Sequence, residues 1–454
     1  MKVVVIGINH AGTSAIRTML SMNPNLEVVA FDRNDNISFL GCGIALTVSG
    51  VVKNTQDLFY SNPEELKSMG AKIHMSTDVV AIDTAKKVVT VKDLNSGKTW
   101  DESYDKMIYA AGSWPVNLNF KNQDLENIEI CKIYQHALKL IDKANDEKIK
   151  KIAVVGSGYI GVELVEAFAE KGKQVALIDV LSRPLGNYFD NELTGHLEDG
   201  MKKHNVTLHL GQKVQEFLPD ASGKAVAKVV TDKETIDADL VILCIGFRPN
   251  TDLLPDLKKV PNGALVINQK AQTSNPDIYA IGDCAAIYEA SSQQHRNVAL
   301  ATNAVKTGIV AAAQICGIEG VVLPNIAGTN ALCVFGLKYA STGLSEESAK
   351  RFGLKVKSCY YSDNDRPEWM NTVEKVDIKI VFEEDTYRLV GAQILSHGNA
   401  NHTEWIFALG LAIQKGMNLF EVAFTDVYFL PHLNKPFNFV LSAILKSIGM
   451  KYIK

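Results

Sequence analysis

The chain contains 454 residues, of which 46% are hydrophobic and 22% are charged, so a disordered chain and a collagen-like protein are excluded. Its length predicts about three domains. The 47 Lys and Arg residues are balanced by 51 Asp and Glu residues, and the net charge of −4 argues against a nucleic-acid coat or a polybasic membrane binder. No apolar run approaches the ~20 residues that span a bilayer, and the N-terminus has the pattern of a strand rather than of a signal peptide. We therefore expect a cytoplasmic protein that has neither nucleic acid nor a membrane as a partner.

The cysteines form no recognisable framework. They are odd in number and include no C-x-x-C pair, so we expect neither a disulfide scaffold nor a structural zinc site, and no metal site is predicted. A free cysteine is usually a small buried hydrophobic residue, which is the default interpretation of each thiol. The seven are Cys42, Cys131, Cys244, Cys284, Cys316, Cys333 and Cys359.

The first predicted unit is an apolar strand, a Gly-rich turn and the start of a helix. Residues 2–6 form the strand, Gly7 and Gly12 lie in the turn, and a second strand over 28–31 ends in Asp32. Glycine permits the tight turn, and the helix N-terminus offers free N–H groups to a phosphate. An acid about 20 residues after the first glycine accepts a hydrogen bond from a ribose. Asp32 follows Gly7 by 25 residues and fits this pattern.

A second copy of the unit begins 149 residues later. A strand over 151–155 leads into Gly156, Gly158 and Gly161, and the next strand ends in Asp179, which follows Gly156 by 23 residues. One Gly-rich turn is weak evidence, but two copies with the same strands and acids are improbable by chance. The chain is therefore predicted to bind two dinucleotides.

The two copies differ at the middle glycine. Gly158 completes the second fingerprint, whereas Asn9 occupies the corresponding position in the first. Asparagine tolerates unusual backbone angles better than most residues, so the turn is expected to survive. The next residue, His10, would lie beside the bound cofactor. The alternative for His10 is an ordinary surface or capping histidine.

Three later strands have the form of a flavin-binding half. They are predicted directly before Gly112, before Gly246 and before the pair Gly282-Asp283. A carboxylate at the C-terminal end of a strand is placed to accept a hydrogen bond from a ribityl hydroxyl. The alternative for Asp283 is an N-cap of a following helix.

A family resemblance is carried by three motifs, GINHAG at 7–12, NISFLGCG at 36–43 and AIGDCA at 280–285. They resemble the pyridine-nucleotide disulfide oxidoreductase superfamily over the whole chain. They are most similar to its single-cysteine branch: water-forming NADH oxidases first, then NADH peroxidases and coenzyme A disulfide reductases. The resemblance implies an α/β fold with two Rossmann-like dinucleotide-binding domains, for FAD and for NAD, and a C-terminal α+β dimerisation domain. The implied bounds are 1–113 and 247–324 for the split FAD-binding domain, 114–246 for the NAD-binding domain and 325–454 for the dimerisation domain.

Cys42 lacks the second cysteine that classical disulfide reductases carry five residues later, where this chain has Thr47. A single thiol must cycle through a sulfenic acid or a mixed disulfide with a small thiol. A sulfenic acid forms when a thiolate attacks an O–O bond, so we expect a thiol pKa below ~8.5, lowered by a helix N-terminus. The alternative is a packed core thiol. The resemblance places His10 beside this cysteine and the flavin edge, where it holds or passes a proton.

Two positions favour the oxidases over the other members of the branch. Val305 and His432 both differ from the residues that the resembling NADH peroxidases tend to carry. His432 either reaches the flavin and the redox cysteine of the partner subunit or is an interface histidine without a chemical role. A homodimer or a dimer of dimers is expected.

The resemblance implies two sets of cofactor-binding residues. Tyr159 resembles a tyrosine that covers the flavin until nicotinamide displaces it, whereas Tyr188 either contacts adenosine or packs, and Lys132 either lies near the flavin or is solvated. The FAD set is Gly7, Asn9, His10, Ala11, Gly12, Asp32, Cys42, Val80, Ala110, Gly112, Ser113, Lys132, Asp283, Ala299, Leu300 and Ala301. The NAD set is Gly156, Gly158, Tyr159, Ile160, Gly161, Asp179, Tyr188 and Gly246.

The expected reaction follows from these assignments. Asp179 repels the additional phosphate of NADPH, and Arg183 could soften that preference, so NADH is favoured. The resemblance implies reduction of dioxygen to water by four electrons from two NADH, through FAD, a flavin-bound peroxide and a Cys42 thiolate/sulfenic acid cycle. The alternatives are an NADH peroxidase acting on hydrogen peroxide, a coenzyme A disulfide reductase and, in a different class, an NADH-sensing flavoprotein.

Overall fold

The structure is a computed structural model that describes residues 1–450. Positions 451–454, the last four of the predicted dimerisation domain, lie outside the described residues. In the described part, no helix combines the length and the apolar character that crossing a membrane requires. The helices are α1 His10–Met22, α2 Ile44–Ser49, α3 Pro63–Ser68, α4 Tyr134–Asn145, α5 Tyr159–Glu170, α6 Asn191–Lys203, α7 Ala301–Ile315, α8 Glu346–Arg351, α9 Trp405–Gln414, α10 Leu419–Ala423 and α11 Phe439–Ser447.

The strands alternate with helices at the start of each Gly-rich unit and elsewhere often follow one another directly. They are β1 Lys2–Ile6, β2 Glu27–Phe31, β3 Lys72–His74, β4 Thr77–Asp83, β5 Val88–Asp93, β6 Thr99–Ser103, β7 Lys106–Tyr109, β8 Ser113–Pro115, β9 Ile128–Ile130, β10 Lys151–Val155, β11 Gln174–Asp179, β12 Thr207–Leu210, β13 Val214–Pro219, β14 Val226–Thr231, β15 Thr235–Asp237, β16 Leu240–Leu243, β17 Phe247–Pro249, β18 Leu265–Val266, β19 Ile278–Ala280, β20 Ala285–Glu289, β21 Gln294–Arg296, β22 Asn330–Val334, β23 Leu337–Gly343, β24 Val356–Asn364, β25 Lys375–Glu383 and β26 Leu389–Ser396.

The first sheet is parallel, in the order β19-β7-β1-β2-β3. Its apolar strands are buried in one core together with residues of helices α1 and α7 and of strands β4 and β5. Strand β19 comes from a point in the chain far beyond the others, so this sheet is assembled from two separate stretches of sequence. The carboxyl ends of its strands meet at one edge, where an open α/β sheet binds its ligands.

The second sheet repeats the first and has the order β12-β11-β10-β16-β9, again with parallel neighbours. Helix α1 begins at His10 and α5 begins at Tyr159, so the helices keep the predicted offset of 149 residues. The chain passes between the two sheets at 113–115 and again at 247–249, and these stretches pair as the antiparallel ribbon of β8 and β17.

The C-terminal sheet is antiparallel, in the order β22-β23-β26-β25-β24. Helices α9 and α11 pack on one of its faces, and their buried apolar residues form a core separate from those of the parallel sheets. Helix α6, from the second α/β unit, lies against the other face, where the hydroxyl of Tyr339 donates to the carbonyl oxygen of Leu193 at 3.2 Å. The predicted fold class, two Rossmann-like α/β units followed by an α+β unit, is confirmed.

Candidate active site

The two Gly-rich turns have the same geometry. Gly7 and Gly156 have φ angles of 92° and 104°, which disfavour any residue with a side chain. A Cβ atom at either position would overlap a carbonyl oxygen at the end of the neighbouring central strand. A Cβ at Gly12 or Gly161 would overlap the carbonyl oxygen of the first glycine of its own turn. Each turn therefore requires both glycines to bring its helix N-terminus against the end of its strand.

The middle position of each turn is less demanding. Asn9 has a φ of −83° and Gly158 a φ of −72°, so neither residue needs a left-handed conformation. The turn survives the asparagine, as expected, but the unusual backbone angles that asparagine tolerates are not used. A Cβ at Gly158 would meet no atom within 4 Å. The open space in front of each helix fits the pyrophosphate of a dinucleotide.

The acids that end the second strands support the turns. The buried carboxylate of Asp32 accepts hydrogen bonds from the backbone N–H groups of Ile8 at 2.7 Å and Asn34 at 2.8 Å. Burial raises the pKa of Asp32, and these backbone donors oppose the rise. Asp179 accepts from the hydroxyl of Ser157 and from the backbone of Leu181, both at 2.7 Å. Each acid thus holds its own Gly-rich turn beside a strand end where a ribose would lie.

Arg183 is paired with a carboxylate of the C-terminal unit. Its guanidinium forms an ion pair with Glu347 of helix α8, and its Nη2 atom lies 3.4 Å from the carbonyl oxygen of Gly186. The cation that was expected to soften the preference for NADH is therefore neutralised by a carboxylate of the C-terminal unit.

Cys42 lies in a 3₁₀ turn, Gly41–Gly43, directly before the short helix α2. The residue is exposed, so the interpretation as a packed core thiol is wrong. Partial burial of the thiol, followed by the negative charge of Glu163, nevertheless raises the pKa of Cys42, while its own backbone N–H lowers it. The prediction of a lowered thiol pKa is therefore wrong when only groups of the protein act on Cys42, because desolvation outweighs the effect of the turn.

His10 is the first residue of α1 and contacts Tyr60. Its Nδ1 atom lies 3.0 Å from the tyrosine hydroxyl, and the two rings stack with centroids 5.6 Å apart. Burial is the largest effect and lowers the pKa of His10; Asp283 opposes it and Lys132 adds to it. A neutral imidazole can accept a proton at one nitrogen and donate from the other, which suits proton transfer.

A charged cluster connects the carboxyl edge of the first sheet to the second α/β unit. The ammonium group of Lys132 lies 3.1 Å from both the hydroxyl of Ser113 and the carboxylate of Asp283, and that hydroxyl donates to the carboxylate at 2.7 Å. Asp283 lies in a 3₁₀ turn that runs directly into strand β20, so the interpretation as an N-cap of a following α-helix is wrong. The Lys132 ammonium also lies 4.4 Å from the ring centroid of Phe247, so Lys132 is not simply solvated.

Helix α5 brings two further groups to this region. Tyr159 packs against Tyr188 with ring centroids 4.4 Å apart, and its hydroxyl donates a hydrogen bond to Asn330 of the C-terminal sheet. Glu163 follows one turn later on the same helix. Burial, with a smaller contribution from Glu166, raises the pKa of Glu163 to about 7, so this carboxyl can exchange a proton near neutral pH.

The other predicted residues lie at strand ends, in helices and in an irregular segment. Ala110 and Gly112 follow strand β7, Ile160 lies in α5, and Gly246 has a φ of 98° after strand β16. Val80 is exposed on β4, and Ala299, Leu300 and Ala301 lead into or begin α7. His432 lies in the irregular segment between α10 and α11 and is exposed in the single chain.

Three residues with a place in this site were absent from the sequence-based set. Tyr60 is the ring partner of His10, and Asn330 accepts from Tyr159. Glu163 adds to the rise in the pKa of Cys42 that burial causes. Glu163 could have been found, because it follows Tyr159 by four residues and therefore shares its face of the helix. Tyr60 and Asn330 carry no local pattern, since only long-range packing brings them to the site.

The chain belongs to the pyridine nucleotide-disulphide oxidoreductase family, whose profile matches residues 1–308. Residues 329–438 match the dimerisation domain of that family. The NADH oxidase of Mycoplasma pneumoniae is 52% identical and aligns with 99% of this chain and 98% of its own length. The NADH oxidase of Enterococcus faecalis is 47% identical over 97% of this chain and 98% of its own. The solved water-forming NADH oxidase of Lactobacillus brevis, bound to NADH, has a TM-score of 0.95 at 39% identity and covers 99% of this chain and 98% of that one.

Proposed function

We propose that the protein is a water-forming NADH oxidase, which uses four electrons from two NADH molecules to reduce dioxygen to water. The observation that carries the proposal is the exposed thiol of Cys42, which lies in the 3₁₀ turn before α2 without a second cysteine beside it in sequence. Thr47 stands where a disulfide reductase has its second cysteine, and its hydroxyl is already bonded to the carbonyl oxygen of Ile44 at 2.7 Å. The relatives named NADH oxidases, similar over almost the whole chain, support the same function.

We assign FAD to the first Gly-rich turn and NADH to the second. Gly7, Gly12 and Asp32 would hold the adenine-nucleotide half of FAD, and the cluster of Ser113, Asp283 and Lys132 would hold its ribityl and ring portion. When bound, FAD supplies the two-electron transfer between NADH and dioxygen. The corresponding domains are 1–113 with 247–324 for FAD, 114–246 for NADH and 325–454 for dimerisation. The crossing ribbon at 113–115 and 247–249 supports the inner two boundaries.

The remaining NAD set surrounds the second turn. Gly156, Gly158 and Gly161 would face the pyrophosphate, and Asp179 would accept from the ribose and repel a 2′-phosphate. Tyr159, at the start of α5, would cover the flavin until a nicotinamide ring displaces it, and its ring packs against that of Tyr188. The pairing of Arg183 with Glu347 supports a preference for NADH over NADPH.

The thiol completes the reduction at the level of peroxide. The Cys42 thiolate attacks the O–O bond, one oxygen is transferred to sulfur as a sulfenic acid, and the other leaves with a proton as water. Two electrons from the second NADH and two protons then return the sulfenic acid to the thiol and release the second water. His10, held neutral by burial, would supply or receive the proton that these steps move.

The chain is further proposed to work as a homodimer through its C-terminal unit. That unit exposes large apolar side chains to solvent in the single chain, among them Trp369, Phe407, Phe424 and Tyr428. A second copy would cover such a surface. Sedimentation velocity would show whether two dimers associate further. His432 lies in the segment that a partner subunit would contact.

Oxygen consumption tests the proposed function. With limiting NADH and the FAD-loaded enzyme in an oxygen electrode, an oxidase consumes one dioxygen for every two NADH, and catalase returns no oxygen. A peroxide-forming enzyme consumes one dioxygen per NADH, and catalase returns half of it. An NADH peroxidase consumes NADH only when hydrogen peroxide is added, and this outcome would overturn the proposal.

A further inference from the structure

Helix α6 faces the C-terminal sheet through a row of polar side chains. Glu192 and His196 lie one turn apart on the helix, and Asp377 and Lys379 lie two residues apart on β25, so each pair presents one face. Glu192 accepts from the Lys379 ammonium at 2.9 and 3.0 Å. One half of this interface is thus a completed ion pair, in which the helix supplies the acid and the strand supplies the base.

In the other half of the interface, the helix supplies the base, His196, and the strand supplies the acid, Asp377, but the two do not form a hydrogen bond. The Nε2 atom of His196 lies 3.7 Å from a carboxylate oxygen of Asp377, beyond hydrogen-bond reach. His397, which follows β26, places its Nε2 atom 2.6 Å from the same oxygen. One possible ligand atom from each of these three side chains lies within 4.8 Å of the other two.

The carboxylate at the centre of this group is fully buried. Asp377 has no exposed surface, and its second oxygen accepts a hydrogen bond from the hydroxyl of Tyr360 at 2.8 Å. The two imidazole rings meet edge to face, with centroids 5.1 Å apart, so both can aim a nitrogen at one point beside the carboxylate. A buried carboxylate held by a second donor is oriented in the way that metal sites orient their acidic ligands.

We propose that His196, Asp377 and His397 form a binding site for a divalent transition-metal ion, for which Zn²⁺ is the probe. Two imidazoles and one carboxylate are a common ligand set for such ions, and a solvent molecule would complete the coordination. Zinc bonds of about 2.0–2.1 Å separate neighbouring ligand atoms of a tetrahedral site by about 3.3 Å. The observed separations from Asp377, 2.6 and 3.7 Å, lie on either side of that value, so small rotations of the two rings would fit the ion.

The charges around the group permit a cation. Lys375 is the nearby base that disfavours it, and Asp199, on α6, is the acid that favours it; both act on His196. Because His196 belongs to the second α/β unit and the other two ligands belong to the C-terminal unit, a bound ion would clamp these units together. Its three ligands lie on α6, on β25 and directly after β26, outside the elements that carry Cys42 and the two Gly-rich turns.

Equilibrium dialysis of the FAD-loaded, metal-stripped protein against Zn²⁺, with a competing chelator, tests the proposal. We expect one tightly held Zn²⁺ per chain. His196→Ala should weaken Zn²⁺ binding by about 10-fold to 100-fold or more, because loss of a residue that only supports a metal ligand already weakens binding by that range. His204→Ala is the matched control, because it removes an exposed imidazole from the end of the same helix. X-ray absorption at the zinc edge should show nitrogen and oxygen ligands without sulfur.

Three results would overturn the proposal. They are the absence of tight Zn²⁺ binding to the wild-type protein, equal binding by the wild type and His196→Ala, and sulfur ligands in the absorption spectrum, which would place the ion at a cysteine. His397→Ala provides a second variant, because its ring is partly exposed and its loss leaves the strands intact. Zn²⁺ should also raise the Tm of the wild type and leave that of either histidine variant unchanged.

Discussion

The imidazole of His10 and the hydroxyl of Tyr60 lie 3.0 Å apart, and their rings stack within 7° of parallel. The contact joins the first turn of α1 to the chain segment that follows the Cys42 region. It holds the ring of His10 in one orientation and determines which ring nitrogen is available for proton transfer.

Replacement of Tyr60 by phenylalanine keeps the stacked ring and removes the hydrogen bond. We expect kcat to fall about 2-fold to 10-fold, because a hydrogen bond contributes about 0.5–1.5 kcal/mol net. Steady-state NADH oxidation measured from pH 5.5 to 8 checks this expectation. Tyr134→Phe is the control, since its hydroxyl bonds to Thr55 at 2.9 Å. Unchanged kinetics of Tyr60→Phe across this range would remove Tyr60 from the proton-transfer group.

Replacement of Cys42 by serine should change the product of the reaction. NADH oxidation should continue while hydrogen peroxide accumulates in place of water, because the thiolate that cleaves the O–O bond is lost. The ratio of dioxygen to NADH consumed should double. Cys333→Ser removes another exposed thiol, on β22, and should leave the ratio at its wild-type value. Continued formation of water alone by Cys42→Ser would show that the sulfenic acid mechanism is wrong.

The raised pKa of Glu163 makes a signed prediction about stability. The folded-state pKa of about 7 lies above the ordinary value of 4.5, so the folded protein binds this proton more tightly than the unfolded chain does. The contribution of this carboxyl to the free energy of unfolding therefore falls as the pH rises from about 4.5 to about 7. Glu163→Gln should stabilise the protein at pH 8 by about 1–3 kcal/mol and much less at pH 5, after allowance for partial solvent screening.

Thermal unfolding at the two pH values measures this effect as the difference in Tm between the variant and the wild type. Glu170→Gln, an exposed glutamate at the end of the same helix, is the control and should show a small difference at both. An equal Tm difference for Glu163→Gln at pH 5 and pH 8 would contradict the assigned pKa.

The ion pair of Arg183 and Glu347 predicts a change in nucleotide preference. Glu347→Gln removes the partner of the guanidinium, which then becomes available to a 2′-phosphate. Since such partly exposed pairs contribute about 0.2–1 kcal/mol, kcat/KM for NADPH should rise by up to about 5-fold while that for NADH stays nearly constant. The double variant Arg183→Gln with Glu347→Gln should lose the gain. A gain that persists in the double variant would show that Arg183 is not responsible.

Local chain geometry made the Gly-rich units predictable. The left-handed turns at Gly7 and Gly156, and the acids that end β2 and β11, depend on neighbours close in sequence, so their spacing identified them. Properties that depend on residues distant in sequence were harder to predict. The pKa of Cys42 was expected to be lowered, because a helix start lies beside it in sequence, whereas burial by distant residues dominates. The alternative for Asp283 was the N-cap of a following helix, but strand β20 follows its 3₁₀ turn.

The sequence alone determined the class of fold, the repeated dinucleotide-binding unit and the absence of a second cysteine five residues after Cys42, because strand, turn and helix patterns are local and repeat at a fixed offset. Only the tertiary structure decided that Arg183 is neutralised by Glu347 and that His196 meets Asp377 and His397. These contacts join residues of different units, whose relative placement follows from the packing of α6 and α8 around the C-terminal sheet. No spacing rule along the chain carries that information.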